Sequence, residues 1–267
     1  MEKSVMVVDF HVHYFPDNIV EKAISLLAAP NNMKPYTDGT LNGLKKSMTE
    51  AGIDISLNLP LATSADSVRG INKWASIHNV APVYSLGSIH PDTPDPGNAI
   101  PWIKSLGLKG VKMHPEYQTF NPLEKRLEKI WQACSDNDIF VMTHAGKDIN
   151  FSPPPLSCPA DFAELHRRFP KLTLVVAHLG SWELWNEVEE KLAGLPVYLD
   201  LAFVLGILEN DKIVSIIRKH GADRILFGTD SPWRDQKAEL ETFRKLPLTD
   251  DEKDLILYKN ALRLLKW

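Results

Sequence analysis

Ile139-Phe140-Val141-Met142-Thr143-His144-Ala145-Gly146 is the stretch on which the fold turns. Five residues, apolar apart from the closing threonine, precede a histidine, and a small residue and a glycine follow. A run this short, apolar on both faces, suits a strand buried between a core and a layer of helices. The same unit recurs along the chain. Comparable runs are Val5–Val8, Ile55–Leu59, Pro82–Leu86, Leu108–Met113, Leu172–Ala177, Val197–Leu201 and Ile225–Thr229, which makes eight in all.

The stretches between the runs read as helices. Leu127, Ile130, Trp131 and Cys134 fall on one helical face, as do Leu44, Met48 and Ala51, after which Gly52 suits a helix stop. Thr249 and Glu252 have capping-box spacing and open a last helix toward Trp267. The long connection after the first strand, residues 14–54, predicts two helices broken near Pro30 and Pro35. Strand and helix in alternation imply a parallel sheet. Eight repeats, with no glycine-rich nucleotide fingerprint after the first strand, predict a single (β/α)8 TIM barrel rather than an open doubly wound sheet. Residues 1–267 are read as one domain, and 267 residues is an ordinary length for that fold.

Composition narrows the function classes. The chain is 44% hydrophobic and 24% charged, with a net charge of −4 and no long stretch of one sign. Nothing in it predicts nucleic acid or a membrane surface as a partner. The opening Met1-Glu2-Lys3-Ser4 leads into an apolar run broken by Asp9, His11 and His13, which does not read as a signal peptide. The two cysteines form no disulfide framework; Cys134 reads as core, and Cys158 fits either core or surface. A cytoplasmic enzyme with a small-molecule substrate is expected. The seven tryptophans suit either helix-to-barrel packing or a homo-oligomer interface.

Potential metal ligands gather where the predicted strands end. The first strand leads to Asp9-Phe10-His11-Val12-His13, the fourth to Lys112-Met113-His114-Pro115-Glu116, and the fifth to Thr143-His144. The sixth leads to Ala177-His178-Leu179-Gly180, the seventh to Asp200, and the eighth to Gly228-Thr229-Asp230-Ser231-Pro232. In a (β/α)8 barrel those ends meet on one rim, where active sites lie. Alternation along a strand puts His11 and His13 on one face, spaced to chelate a single cation. His144 adds a third nitrogen and Asp230 a carboxylate, so these four are the expected ligands of one divalent metal, with zinc ahead of manganese. His178 is expected to orient or deprotonate a metal-activated water, and Asp230 to accept a proton. Asp9 suits either support of the histidines or capping of backbone amides. Lys112, His114 and Trp233 are candidate pocket residues. His78, His90, His166 and His220 read as structural or surface residues.

Taken in order, these motifs resemble the amidohydrolase superfamily. The strings Gly110-Val111-Lys112-Met113-His114-Pro115, His144-Ala145-Gly146, His178-Leu179-Gly180 and Gly228-Thr229-Asp230-Ser231-Pro232 resemble its amidohydrolase-related branch, as does the closing Asn260-Ala261-Leu262-Arg263-Leu264-Leu265. That branch includes aminocarboxymuconate-semialdehyde decarboxylase and several lactone hydrolases. The resemblance implies a metal on the first-strand pair, the fifth-strand histidine and the eighth-strand aspartate, with a catalytic histidine on the sixth strand. Dinuclear superfamily members bridge two metals with a carboxylated lysine on the fourth strand, where Lys112 stands. Lys-x-His-Pro there also resembles mononuclear members, and one metal is expected.

Hydrolysis of a small ester, lactone or amide is the leading expectation. Decarboxylation of a small unsaturated or aromatic acid is the alternative. It would need cations for the substrate carboxylate, and Lys112 and Arg234 are the candidates. A barrel that binds metal without catalysis is the remaining reading, but every ligand position is intact.

Overall fold

A computed structural model describes residues 5–267; Met1–Ser4, the start of the stretch read as no signal peptide, lie outside it. The strands are β1 Val8–Val12, β2 Ile55–Asn58, β3 Val83–Ser85, β4 Gly87–Ser88, β5 Gly110–Met113, β6 Phe140–Thr143, β7 Leu174–Val176, β8 Tyr198–Asp200 and β9 Ile225–Leu226. The expected third strand is interrupted at Leu86, giving β3 and β4. The expected fourth, fifth and sixth strands are therefore β5, β6 and β7, and the expected eighth is β9.

The chain packs into two compact units. The first contains the described residues up to Asn58, with Ala81–Tyr84 and Asp200–Trp267. Here β1 runs parallel to β2 with Val8 opposite Ile55 and Asp9 opposite Ser56. On its other side β1 meets the segment leading out of β9: the Phe10 amide donates to the Phe227 carbonyl at 2.8 Å. The same pairing continues where the Asp230 amide donates to the His11 carbonyl at 2.8 Å and the His13 amide to the Ser231 carbonyl at 2.6 Å.

The second unit contains Leu59–Val80 and Ser85–Leu199. Its strands β4 to β7 and the start of β8 lie side by side in chain order, each pair parallel. The register sets Met113 opposite Thr143 and Thr143 opposite Val176. The residues that follow these positions, His114, His144 and Ala177-His178, thus leave their strands at one level.

The helices follow their apolar stripes. Leu41–Ala51 starts at Thr40, whose hydroxyl accepts from the Gly43 amide, and stops at Gly52 in the left-handed region. It buries Leu44 and Met48, each worth about 2 kcal/mol of apolar transfer. Glu128–Asp136 buries Ile130, Trp131 and Cys134 as expected. The connection after β1 holds two helices, Val20–Ala28 and Leu41–Ala51, with Pro30 in a short turn between them. Thr249 and Glu252 form the expected capping box.

The first strand is displaced from its expected position. It was read as Val5–Val8, where the apolar run lies; the strand is Val8–Val12 and includes Asp9 and His11. Those two residues are buried, 0% and 1% exposed, because polar partners meet them inside. A rule that ends a strand at its first charged residue stops too early here. Among the described residues no helix is long and apolar enough to cross a membrane.

Candidate metal centre

In the first unit β1 carries His11, His13 directly follows it, and the turn beyond β9 carries Asp230. The backbone pairing just described places Asp230 beside both imidazoles. Its Oδ1 lies 3.1 Å from His13 Nε2 and 3.5 Å from His11 Nε2. Two donors on a tetrahedral metal with bonds of about 2.1 Å stand roughly 3.4 Å apart; on an octahedral metal the gap is roughly 3 Å. The spacing therefore fits one divalent cation held by His11, His13 and Asp230, and is compatible with either geometry. Asp230 adopts φ +67, a left-handed conformation costly to most residues but tolerated by aspartate. Strain of that kind collects where side-chain aim matters.

Two further carboxylates support this group. Asp200 accepts from His11 Nδ1 at 2.7 Å, with both side chains buried. Asp9, read as either histidine support or an amide cap, is the cap. It accepts from the Thr229 hydroxyl at 2.6 Å, the Thr229 amide at 3.0 Å, the Gln236 side chain at 2.8 Å and the His11 amide at 3.3 Å. Burial pushes its carboxyl up to about 7 against those bonds. Asp9 fixes the chain on which Asp230 and His11 sit, without touching an imidazole ring in any of these bonds. Gly228 permits the approach of the strands: a Cβ there would come within 2.9 Å of His11 Cβ.

In the second unit His144 Nδ1 lies 3.0 Å from His178 Nε2, and His144 Nε2 lies 3.0 Å from the Lys147 carbonyl. A carbonyl only accepts, so Nε2 carries the proton and Nδ1 presents a lone pair. Burial first, then the neighbouring His114 and His178, holds the His144 pKa well below the ordinary range, so the ring is neutral as a ligand must be. His178, Leu179 and Gly180 have φ of +60, +55 and +89 in succession. The Trp185 indole donates to the His178 carbonyl at 3.0 Å and steadies that turn. Gly146 lets the chain after His144 pair with Trp182; a Cβ there would meet Trp182 backbone at 2.4 Å.

The remaining candidates separate. His114 stacks on His144 with ring centroids 4.1 Å apart and faces Asp148 at 3.4 Å. His114, His144 and Asp148 thus form a second group able to face a cation. Asp148 was missed in the sequence, where its only signal is an acid four residues beyond His144. Lys112 is buried, at 2% exposure, and its charge contributes to keeping His144 neutral. Trp233 is half-buried, and its amide closes a turn onto the Asp230 carbonyl at 2.9 Å. Arg234 was a candidate for a substrate carboxylate. Its guanidinium is instead held by Glu239 and the Leu205 carbonyl, over the Phe203 ring. His90 is part of a local turn, where its Nδ1 accepts from the Asp92 amide at 3.1 Å.

The family model described as amidohydrolase matches residues 8–267. No curated relative matches the sequence. Among solved structures, the 5-carboxyvanillate decarboxylase of Sphingomonas paucimobilis is 14% identical with a TM-score of 0.75, over 98% of this chain and 99% of that one. An uncharacterized TIM-barrel protein of Bordetella bronchiseptica is 20% identical with a TM-score of 0.76, over 98% of each chain. The 5-carboxyvanillate decarboxylase of Novosphingobium aromaticivorans, complexed with manganese and 4-hydroxy-3-methoxy-5-nitrobenzoic acid, is 14% identical with a TM-score of 0.76, over 100% of this chain and 97% of that one. These likenesses span the chain and show its fold, the (β/α)8 TIM barrel.

Proposed function

Because the chain belongs to the amidohydrolase family, we propose that it is a metal-dependent carboxy-lyase that removes carbon dioxide from a small unsaturated or aromatic acid. The observation that carries this reading is the full-length likeness to decarboxylases, one of them bound to manganese and a nitrobenzoic acid. It ranks decarboxylation above the hydrolysis that sequence alone favoured. Residues 1–267 are taken as one catalytic domain.

In this reading His11, His13 and Asp230 hold one divalent metal, zinc or manganese. When bound, the metal supplies a Lewis acid that takes substrate oxygens and withdraws electron density. Lys112 offers a buried positive charge that could hold the substrate carboxylate before it leaves as neutral carbon dioxide. His178 supplies the proton. Its Nε2 faces His144 Nδ1 at 3.0 Å. A proton passed from His178 to the substrate carbon would be made good by one from solvent, so that the ring ends neutral, while the carbon–carbon bonding pair stays on the substrate and carbon dioxide leaves. Proton delivery by a positioned histidine contributes about 10²–10⁴-fold.

Hydrolysis of a small lactone, ester or amide is the second reading, supported by Asp230, a carboxylate beside two imidazoles that can accept a proton from water. The test loads the protein with zinc or manganese and offers hydroxybenzoic and unsaturated dicarboxylic acids, with carbon dioxide release as the readout, and in parallel lactones, esters and amides, with acid release as the readout. Carbon dioxide release supports the lyase. Acid release alone transfers the assignment to hydrolysis. Silence in both assays with every metal overturns the catalytic reading.

A further inference from the structure

We propose that Asp200 is the positioning residue of His11: it locks the imidazole in the Nδ1–H form, so that the Nε2 lone pair faces Asp230 and the cation. The proposal rests on the reading of His11 as a metal ligand. Asp200 closes β8 and His11 lies within β1, 189 residues apart in sequence. Asp200 Oδ2 stands 2.7 Å from His11 Nδ1, and the two side chains are 0% and 1% exposed. A carboxylate only accepts, so the proton of a neutral ring must sit on Nδ1. The other nitrogen, Nε2, is the one 3.5 Å from Asp230 Oδ1.

Asp200 itself is fixed. Its Oδ1 accepts from the Ala202 amide at 3.1 Å, which sets the carboxylate plane. The backbone of His11 is confined beside the same segment. A Cβ at Gly228 would come 2.9 Å from His11 Cβ and 3.4 Å from Ala202 Cβ, so strand and side chain are both held. Ring rotation would break a buried charge-assisted bond. Asp9, another buried carboxylate near His11, cannot replace Asp200, since its oxygens already accept from Thr229, Gln236 and the His11 amide. Outer carboxylates of this kind orient a metal-binding histidine and raise its basicity.

The test uses the whole protein with histidines labelled with nitrogen-15. Long-range proton–nitrogen spectra of the metal-free protein read the tautomer of each ring, and His11→Ala identifies the His11 signals. Wild type should show His11 as Nδ1–H. In Asp200→Leu His11 should shift to Nε2–H, and zinc or manganese affinity, measured by chelator competition, should fall about 10–100-fold. Asp200→Asn retains an acceptor and tests the point if the leucine variant does not fold. It should keep the Nδ1–H form and lose about tenfold in affinity, at the low end of that range. Persistence of Nδ1–H in Asp200→Leu, or wild-type affinity in both variants while His11→Ala loses metal, would overturn the proposal. A tautomer switch with unchanged affinity in both Asp200→Leu and His11→Ala would instead remove its premise, that His11 is a ligand.

Discussion

His144 and His178 face each other through Nδ1 and Nε2 at 3.0 Å, and the Lys147 carbonyl at the far side of His144 decides which of the two rings donates. With His144 protonated at Nε2, His178 is the donor. The contact between them therefore sets a lone pair of His144 against an N–H of His178.

This division of labour predicts the phenotype of His178→Ala. Metal content should match wild type, while turnover falls by about 10²–10⁴-fold, the contribution of a positioned acid–base group. Elemental mass spectrometry after dialysis, combined with the substrate assays, reads both. A drop from two metals per chain to one in the variant would make His178 a ligand and bring Lys112 into consideration as a bridge.

Asp230 allows a ligand test free of a folding artefact. Its φ of +67 suits asparagine almost as well as aspartate. Asp230→Asn should keep the wild-type circular dichroism and thermal midpoint of the metal-free protein while losing most of its metal; His11→Ala should lose metal too, but with a lowered midpoint, because it removes the buried bond to Asp200. Full metal stoichiometry in either variant would reject the assignment of His11 and Asp230 as ligands.

The fold and the ligand candidates were legible for a common reason. Most of the strands lie in apolar runs that a polar residue closely follows, and that boundary is written locally in the sequence. His114, His144 and His178 could be placed at strand ends from such runs alone. What was not legible depends on partners distant in sequence. The first strand was misplaced because Asp9 and His11 look like surface residues until Thr229, Gln236 and Asp200 are beside them. Arg234 looked available for a substrate because nothing local announces that Glu239 and the Leu205 carbonyl hold it. Asp200 was one strand-end carboxylate among several; only the folded chain shows which imidazole it meets.

The cysteines should behave as inert thiols. Cys134 is fully buried, which raises its pKa above the ordinary thiol range. Burial also pushes Cys158 up to about 11, and Asp161 beside it disfavours the thiolate further. At pH 8 about one Cys158 in a thousand is then thiolate, and thiolate is the reactive form. A disulfide-exchange reagent should label the native protein slowly, label both cysteines at once in denaturant, and leave metal content unchanged. Rapid labelling of one thiol in the native state would contradict the burial described here.

Two glycines make opposite predictions from the same substitution. Gly146 has φ +84, and an added Cβ would meet the Trp182 carbonyl oxygen at 2.4 Å and its amide nitrogen at 2.5 Å. Neither neighbour is a flexible side chain, because both belong to the bridge that holds the chain after His144 against Trp182. Gly146→Ala should therefore cost at least about 2 kcal/mol, from backbone strain and displacement together. In a chain of this size that lowers the thermal midpoint by about 4 °C or more. Gly70 lies exposed in the helix Ser67–Ile77, with nothing within 4 Å of an added Cβ. Gly70→Ala should stabilise by up to about 1 kcal/mol, because alanine loses less backbone entropy on entering a helix. Thermal unfolding of the two variants beside wild type checks both signs. The Gly146 variant should also weaken metal binding, since the displaced segment carries Lys147, whose carbonyl fixes the His144 tautomer. Equal midpoints in the two variants would mean that the Gly146–Trp182 approach is looser than the backbone distances require.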